Sequence, residues 1–65
     1  MEFIAFSEGD VVAISGDSDE WLVEQFDPDS SDTDVTIVNL RTGDYIAQNY
    51  KDMRRRIVRV IRRQE

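Results

Sequence analysis

Apolar residues in this chain come in short runs, broken by acidic segments that carry glycine or proline, and several runs alternate with polar positions. Ser7-Glu8-Gly9-Asp10 is a turn signal leading into Val11 to Ile14, the first firm strand, and Gly16 to Glu20 is a polar loop. Trp21 to Phe26 puts Trp21, Val23 and Gln25 on one side and Leu22, Glu24 and Phe26 on the other, as a strand with one partly wet face does. Asp27 to Asp34 holds the only proline, no apolar residue and a cluster of aspartates, so it is a loop. Val35 to Leu40 has the strongest β composition of the chain, Thr42-Gly43-Asp44 signals a hairpin, and Tyr45 to Ala47 returns. Strands repeating every ten to fourteen residues or so predict a mainly antiparallel β domain, rolled or closed as a small barrel. Its core is expected from Val12, Ile14, Leu22, Val23, Ile37, Val38, Ile46 and Val58.

The last long run, Met53 to Arg63, fits two periods that disagree. At about 100° per residue, Met53, Ile57, Val58, Val60 and Ile61 share a broad face opposite most of the arginines, and Asn49 is placed to cap such a helix with Asp52 three residues on. At period two, Val58 and Val60 share a face with Arg56 and Arg62, while Ile57 and Ile61 share the other with Arg55, Arg59 and Arg63. Four β-branched residues within five positions favour a strand over a helix. A single helical turn over Asn49 to Met53 is compatible with that strand.

Composition limits what the fold can do. Sixty-five residues make one domain, 1–65, whose core is small: such a chain buries only about 60% of the surface its unfolded form exposes. With no Cys and no His, disulfides and the usual zinc or iron sites are excluded as sources of stability, and a partner or an oligomer is left. No apolar run has the length of a signal-peptide core or a transmembrane helix, which points to a cytoplasmic protein or part of an intracellularly assembled particle.

Charge is unevenly placed. Residues 1–52 carry thirteen acidic and two basic side chains, a net of −11, whereas 53–65 carry six basic and one acidic, a net of +5. Seven of the eight cations are arginine. Acid-rich, lysine-poor composition is similar to that of proteins adapted to high salt, and an ordinary acidic chain from a GC-rich gene shows it equally.

Little here supports catalysis. None of the five serines has an evident activating partner, Lys51 is the one side-chain amine, and a glycosidase-type carboxylate pair needs a cleft that so small a chain hardly builds. Asp27, Asp29 and Ser31 match the first ligand positions of a calcium loop, but Asp32 stands where Gly is needed and Val38 where the bidentate Glu belongs, so no metal and no cofactor is expected.

The succession of Phe6-x-x-Gly9-Asp10-x-Val12, Trp21, Val35-Thr36-Ile37-Val38 with the Gly43 hairpin, and Gln48-Asn49-Tyr50-x-Asp52-Met53 resembles the SH3-like small barrels, the Tudor-like branch above all. That resemblance implies five antiparallel strands closing as a barrel, with Met53 to Arg63 as a long last strand; the rival architecture is a four-stranded sheet bearing a C-terminal amphipathic helix. It also implies an aromatic cage for methylated cations, for which only Trp21 and Tyr45 are suitably placed.

Two classes of function follow. In the first, a non-enzymatic interaction or assembly module docks its arginines on an acidic protein or on a neighbouring copy of itself, including as a small structural subunit of a larger complex or virion. In the second, the same arginines bind nucleic-acid phosphates, against the repulsion of the acidic remainder. A membrane partner is not expected. The partner-binding residues are Arg55, Arg59, Arg62 and Arg63 with Trp21 and Tyr45, and Arg55, Arg59 and Arg63 are expected to form one cationic row.

Overall fold

A computed structural model describes residues 4–27 and 34–63. Among these residues five strands form one antiparallel sheet: β1 Val11–Ile14, β2 Trp21–Gln25, β3 Asp34–Asn39, β4 Tyr45–Asn49 and β5 Ile57–Arg62, with one helix, α1 Tyr50–Arg56, between the last two. Strand order is β4-β3-β2-β1-β5, and the sheet curls strongly into a half-barrel that fits a small SH3-like five-stranded barrel. A four-stranded sheet with a C-terminal helix is therefore not the architecture.

Met53 to Arg63 is neither one strand nor one helix. The Asn49 side chain accepts a hydrogen bond from the Asp52 N–H (2.9 Å) and starts α1, whose last turn carries Arg54, Arg55 and Arg56, favourably placed for the helix dipole. The helix stops where the β-branched residues begin: the Ile57 N–H still bonds to the Met53 carbonyl, but Ile57 itself is extended. Extended beside β1, with Ile57 and Val60 paired to it, this segment gives its stiff β-branched side chains the backbone that they prefer.

Side chains on the concave face make the core. Cross-strand neighbours share a face, so Val23, Ile37 and Ile46 form one inner row, and Val60, Val12, Trp21 and Asn39 another. Phe6, Val12, Ile14, Trp21, Val23, Val35, Ile37, Met53 and Ile57 form the buried cluster, with Ile46 and Val60 packed against it. Three expected core residues are placed differently. Leu22 and Val38 pair with each other on the convex face and are half-buried. Val58 is 50% exposed because β5 slips register against Ala13/Ile14, leaving Val58 without a partner and turning Ile57 and Val60, three apart, to the same inner side.

At the margin of this core Phe26 and Tyr50 pack against the buried Phe6, three rings from three separate segments with centroids 5.1 to 5.8 Å apart and Phe26 stacked on Tyr50 at 7°. Arg54 lies over the Tyr50 ring at 5.6 Å. The calcium-like loop positions Asp29, Ser31 and Asp32 lie outside the described residues. No described helix is long and apolar enough to cross a membrane.

Candidate partner-binding surface

Breaking the arginine segment at Arg56/Ile57 decides where its charges go. Arg54, Arg55 and Arg56 sit on α1, Arg59 and Arg62 on β5, and Arg63 just beyond it. Arg55, Arg59 and Arg63 therefore do not form one row, because that row required a single continuous element. Arg63 reaches back to the buried Asp10, 3.6 Å from its carboxylate, and to the Ala5 carbonyl at 3.5 Å. The Arg56 Nε donates to Gln48 Oε1 at 2.9 Å.

Arg59 and Arg62 do share a face. Arg59 stands opposite Ala13 and Arg62 opposite Val11, both on the convex side, and a second register slip at Val11/Val12 brings residues three apart to the same side. The row of paired residues that ends at Arg62 crosses the whole sheet: Tyr45, Val38, Leu22, Val11, Arg62. Leu40 extends it, since its N–H bonds to the Glu20 carbonyl at 3.0 Å, and Glu20 pairs with Arg62 at 3.3 Å. Tyr45 is 71% exposed and Leu40 49%, while Leu22 and Val38 are half-buried. The convex face thus carries an apolar band with two guanidinium groups at its β5 end. Arg55 and Arg59 are exposed, and among the described residues neither makes an ion pair.

Trp21 lies on the other side of the sheet. Its ring is in the core, and its indole Nε1 has no hydrogen-bond partner among the described residues. With Trp21 facing inward and Tyr45 outward, the two cannot line one aromatic cage. Leu22, Val38 and Leu40, absent from the sequence-derived site, join it through strand register. The alternation of Trp21 to Phe26, which sets Leu22 beside Glu24 on the wetter side, was the available signal.

A polar clamp closes the rim next to this band. Arg41 grips Asp19 with two hydrogen bonds, Nε to Oδ1 at 3.0 Å and Nη2 to Oδ2 at 2.7 Å, and Asn39 Nδ2 donates to the same carboxylate at 3.0 Å. The Asn39 Oδ1 accepts from the Arg41 and Thr42 N–H groups, holding the turn before Gly43, whose φ of 82° suits glycine. Donation by Arg41, then by Asn39, holds the Asp19 carboxyl down to about 2 from an ordinary value of 3.8. A carboxylate whose folded pKa is depressed stabilises the fold above its unfolded value, so this contribution is complete above about pH 4 and is lost as the pH falls toward 2. In an NMR titration of the Asp19 carboxyl, Arg41→Gln is expected to move the midpoint back up toward 3.8; an unmoved midpoint would show that Arg41 is not the cause.

No group of three or more Asp, Glu, His or Cys side chains among the described residues could hold a metal ion. Nothing among protein-family models, curated proteins or solved structures matches this chain.

Proposed function

We propose that this chain is a non-enzymatic protein-interaction module of the Tudor-like, SH3-like kind that docks on an acidic protein surface through its arginine-bearing C-terminal segment. The observation that carries this is the pairing on one face of Arg59 and Arg62 with the apolar band of Tyr45, Val38, Leu22 and Leu40. An exposed ion pair adds only about 0–1 kcal/mol to a fold, so guanidinium groups left open to solvent do little for stability. Beside an apolar band they suit a partner that brings carboxylates together with apolar side chains, which guanidinium and aromatic groups recognise well.

Nucleic acid fits this face less well. The molecule measures 30 × 25 × 24 Å against a Debye length of about 8 Å at physiological salt, so its far carboxylates are screened, but those beside the arginines, such as Glu20 at 3.3 Å from Arg62, still oppose a phosphate. Duplex DNA, with one charge per roughly 1.7 Å, is repelled more strongly than a protein patch of scattered carboxylates, and its backbone has nothing to bury against Leu22 and Val38.

Two fluorescent probes test the proposal: a peptide alternating Glu with Leu and Phe, and a random-sequence DNA duplex. At physiological salt the chain is expected to bind the peptide more tightly than the duplex. Replacing Arg55, Arg59 and Arg62 together by Gln should weaken peptide binding by at least about tenfold, some 1.4 kcal/mol, with the circular dichroism unchanged. Peptide binding that survives the triple change would refute the proposal. Tighter binding to the duplex would favour phosphate binding instead.

A further inference from the structure

Among the described residues the half-barrel leaves two edges, β4 and β5, and the chain treats them differently. β5 is blunted: its register against β1 slips twice, so Val58 and Ile61 have no partner in β1, and it carries Arg59 and Arg62. Bulges and charge are the usual means by which an edge strand is kept from pairing with another chain. β4 has neither. All five of its residues pair with β3 in unbroken register, from Asp34↔Asn49 to Val38↔Tyr45, and the strand, YIAQN, contains no Lys, Arg, Asp, Glu or Pro.

Its free hydrogen-bonding groups can be assigned. The Asn39 N–H bonds to the Asp44 carbonyl at 2.7 Å, which fixes the alternation of the ladder: Asp44, Ile46 and Gln48 turn their backbone groups toward β3, and Tyr45, Ala47 and Asn49 turn theirs away from it. Among the described residues no backbone group meets Tyr45 or Ala47 on that side.

We infer that β4 is a self-association edge, where two copies of this chain pair antiparallel about a two-fold axis at Ala47 and continue the sheet from one molecule into the other. In that register Ala47 faces its own copy and Tyr45 faces Asn49. The Asn49 carbonyl already serves the first turn of α1, so about four backbone hydrogen bonds form across the axis: two between the Ala47 residues and two from the Asn49 N–H groups to the Tyr45 carbonyls. Charge selects a second copy as the occupant. A chain of net charge −6 repels its copies over most of its surface, but not along a strand without charged side chains. The two ends of β4 also have opposite sign, Asp44 before it and Lys51 after it, so antiparallel pairing sets each Asp44 near the Lys51 of the other copy. This isologous contact uses the backbone edge of β4, whereas the docking proposed above uses side chains of the convex face, and Tyr45 is the residue common to both.

The test is the oligomeric state of the full chain by sedimentation equilibrium, from micromolar to millimolar concentration, with hydrogen exchange at both ends of the range. A monomer–dimer equilibrium is expected, with the Ala47 and Asn49 amides exchanging more slowly at high concentration. Ala47→Pro removes only an N–H that points off the sheet and should weaken the dimer by at least about tenfold. Should the proline disturb the strand, Ala47→Lys keeps the N–H and sets two ammonium groups face to face, with the same expected loss. Asp44→Lys should also weaken the dimer, and adding Lys51→Asp should restore it. A wild-type chain that stays monomeric overturns the inference, as does an Ala47→Lys chain that is folded by circular dichroism and dimerises as well as wild type. A dimer lost only when Arg59 and Arg62 are replaced would likewise overturn it and assign self-association to the convex face.

Discussion

Ile37→Ala is expected to take the domain to the limit of folding, whereas Val58→Ala is expected to change its stability by less than about 0.5 kcal/mol, the range of ordinary surface substitutions. Ile37 is fully buried at the centre of β3, paired with Val23 on one side and Ile46 on the other. Removing its branched chain loses the transfer free energy and leaves a cavity, together about 2–5 kcal/mol. At roughly 0.05–0.15 kcal/mol per residue a chain of this size has only about 3–10 kcal/mol in all. Little slack remains. Val58 stands half in solvent at a bulge, so trimming it opens no cavity. Urea denaturation followed by circular dichroism measures both, and a Val58→Ala cost equal to that of Ile37→Ala would mean that the inner and outer sides of β5 are wrongly assigned.

Asp10→Ala is expected to cost about 1.5–3 kcal/mol, the worth of a hydrogen bond to a charged group. The Asp10 side chain accepts from the Ser7 N–H at 2.9 Å, and its backbone carbonyl accepts from the Val23 N–H at 2.8 Å, so one residue closes the Ser7–Asp10 turn and ties it to β2. Asp10→Asn retains an oxygen for the Ser7 N–H and should cost less. Arg63→Gln should cost least, because the Arg63 side chain is mostly in solvent and its 3.6 Å approach to Asp10 is worth about 0–1 kcal/mol. Denaturation midpoints in the order wild type, Arg63→Gln, Asp10→Asn, Asp10→Ala check this; an Arg63→Gln chain as weak as Asp10→Ala would place the energy in the ion pair.

Much of the fold was legible because strands and turns leave local signals. Alternation marked β2, the Thr42-Gly43-Asp44 turn marked the return into β4, and Asn49 with Asp52 marked the start of a helix. The site was less legible. Arg59, Arg62 and Tyr45 were singled out as partner-binding and share the convex face, the arginines at one edge of the sheet and Tyr45 at the other, but the row of Arg55, Arg59 and Arg63 was not there, and Trp21 went to the core. Leu22 and Val38 were expected inside because they are apolar; their parity within the strand places them outside, and parity decides.

By itself, then, the sequence determined the β class, the turns, the helix cap and the concentration of cations in the last thirteen residues, since each depends on the conformational preference or charge of residues close together in the chain. Tertiary structure alone decided where Met53 to Arg63 breaks, because both periods fit and only the burial of Met53 and the pairing of Ile57 with Ile14 separate them. It also decided which arginines face outward together. That depends on two register slips between β1 and β5, strands about forty residues apart, and a bulge is settled by the partner strand, which no local pattern contains.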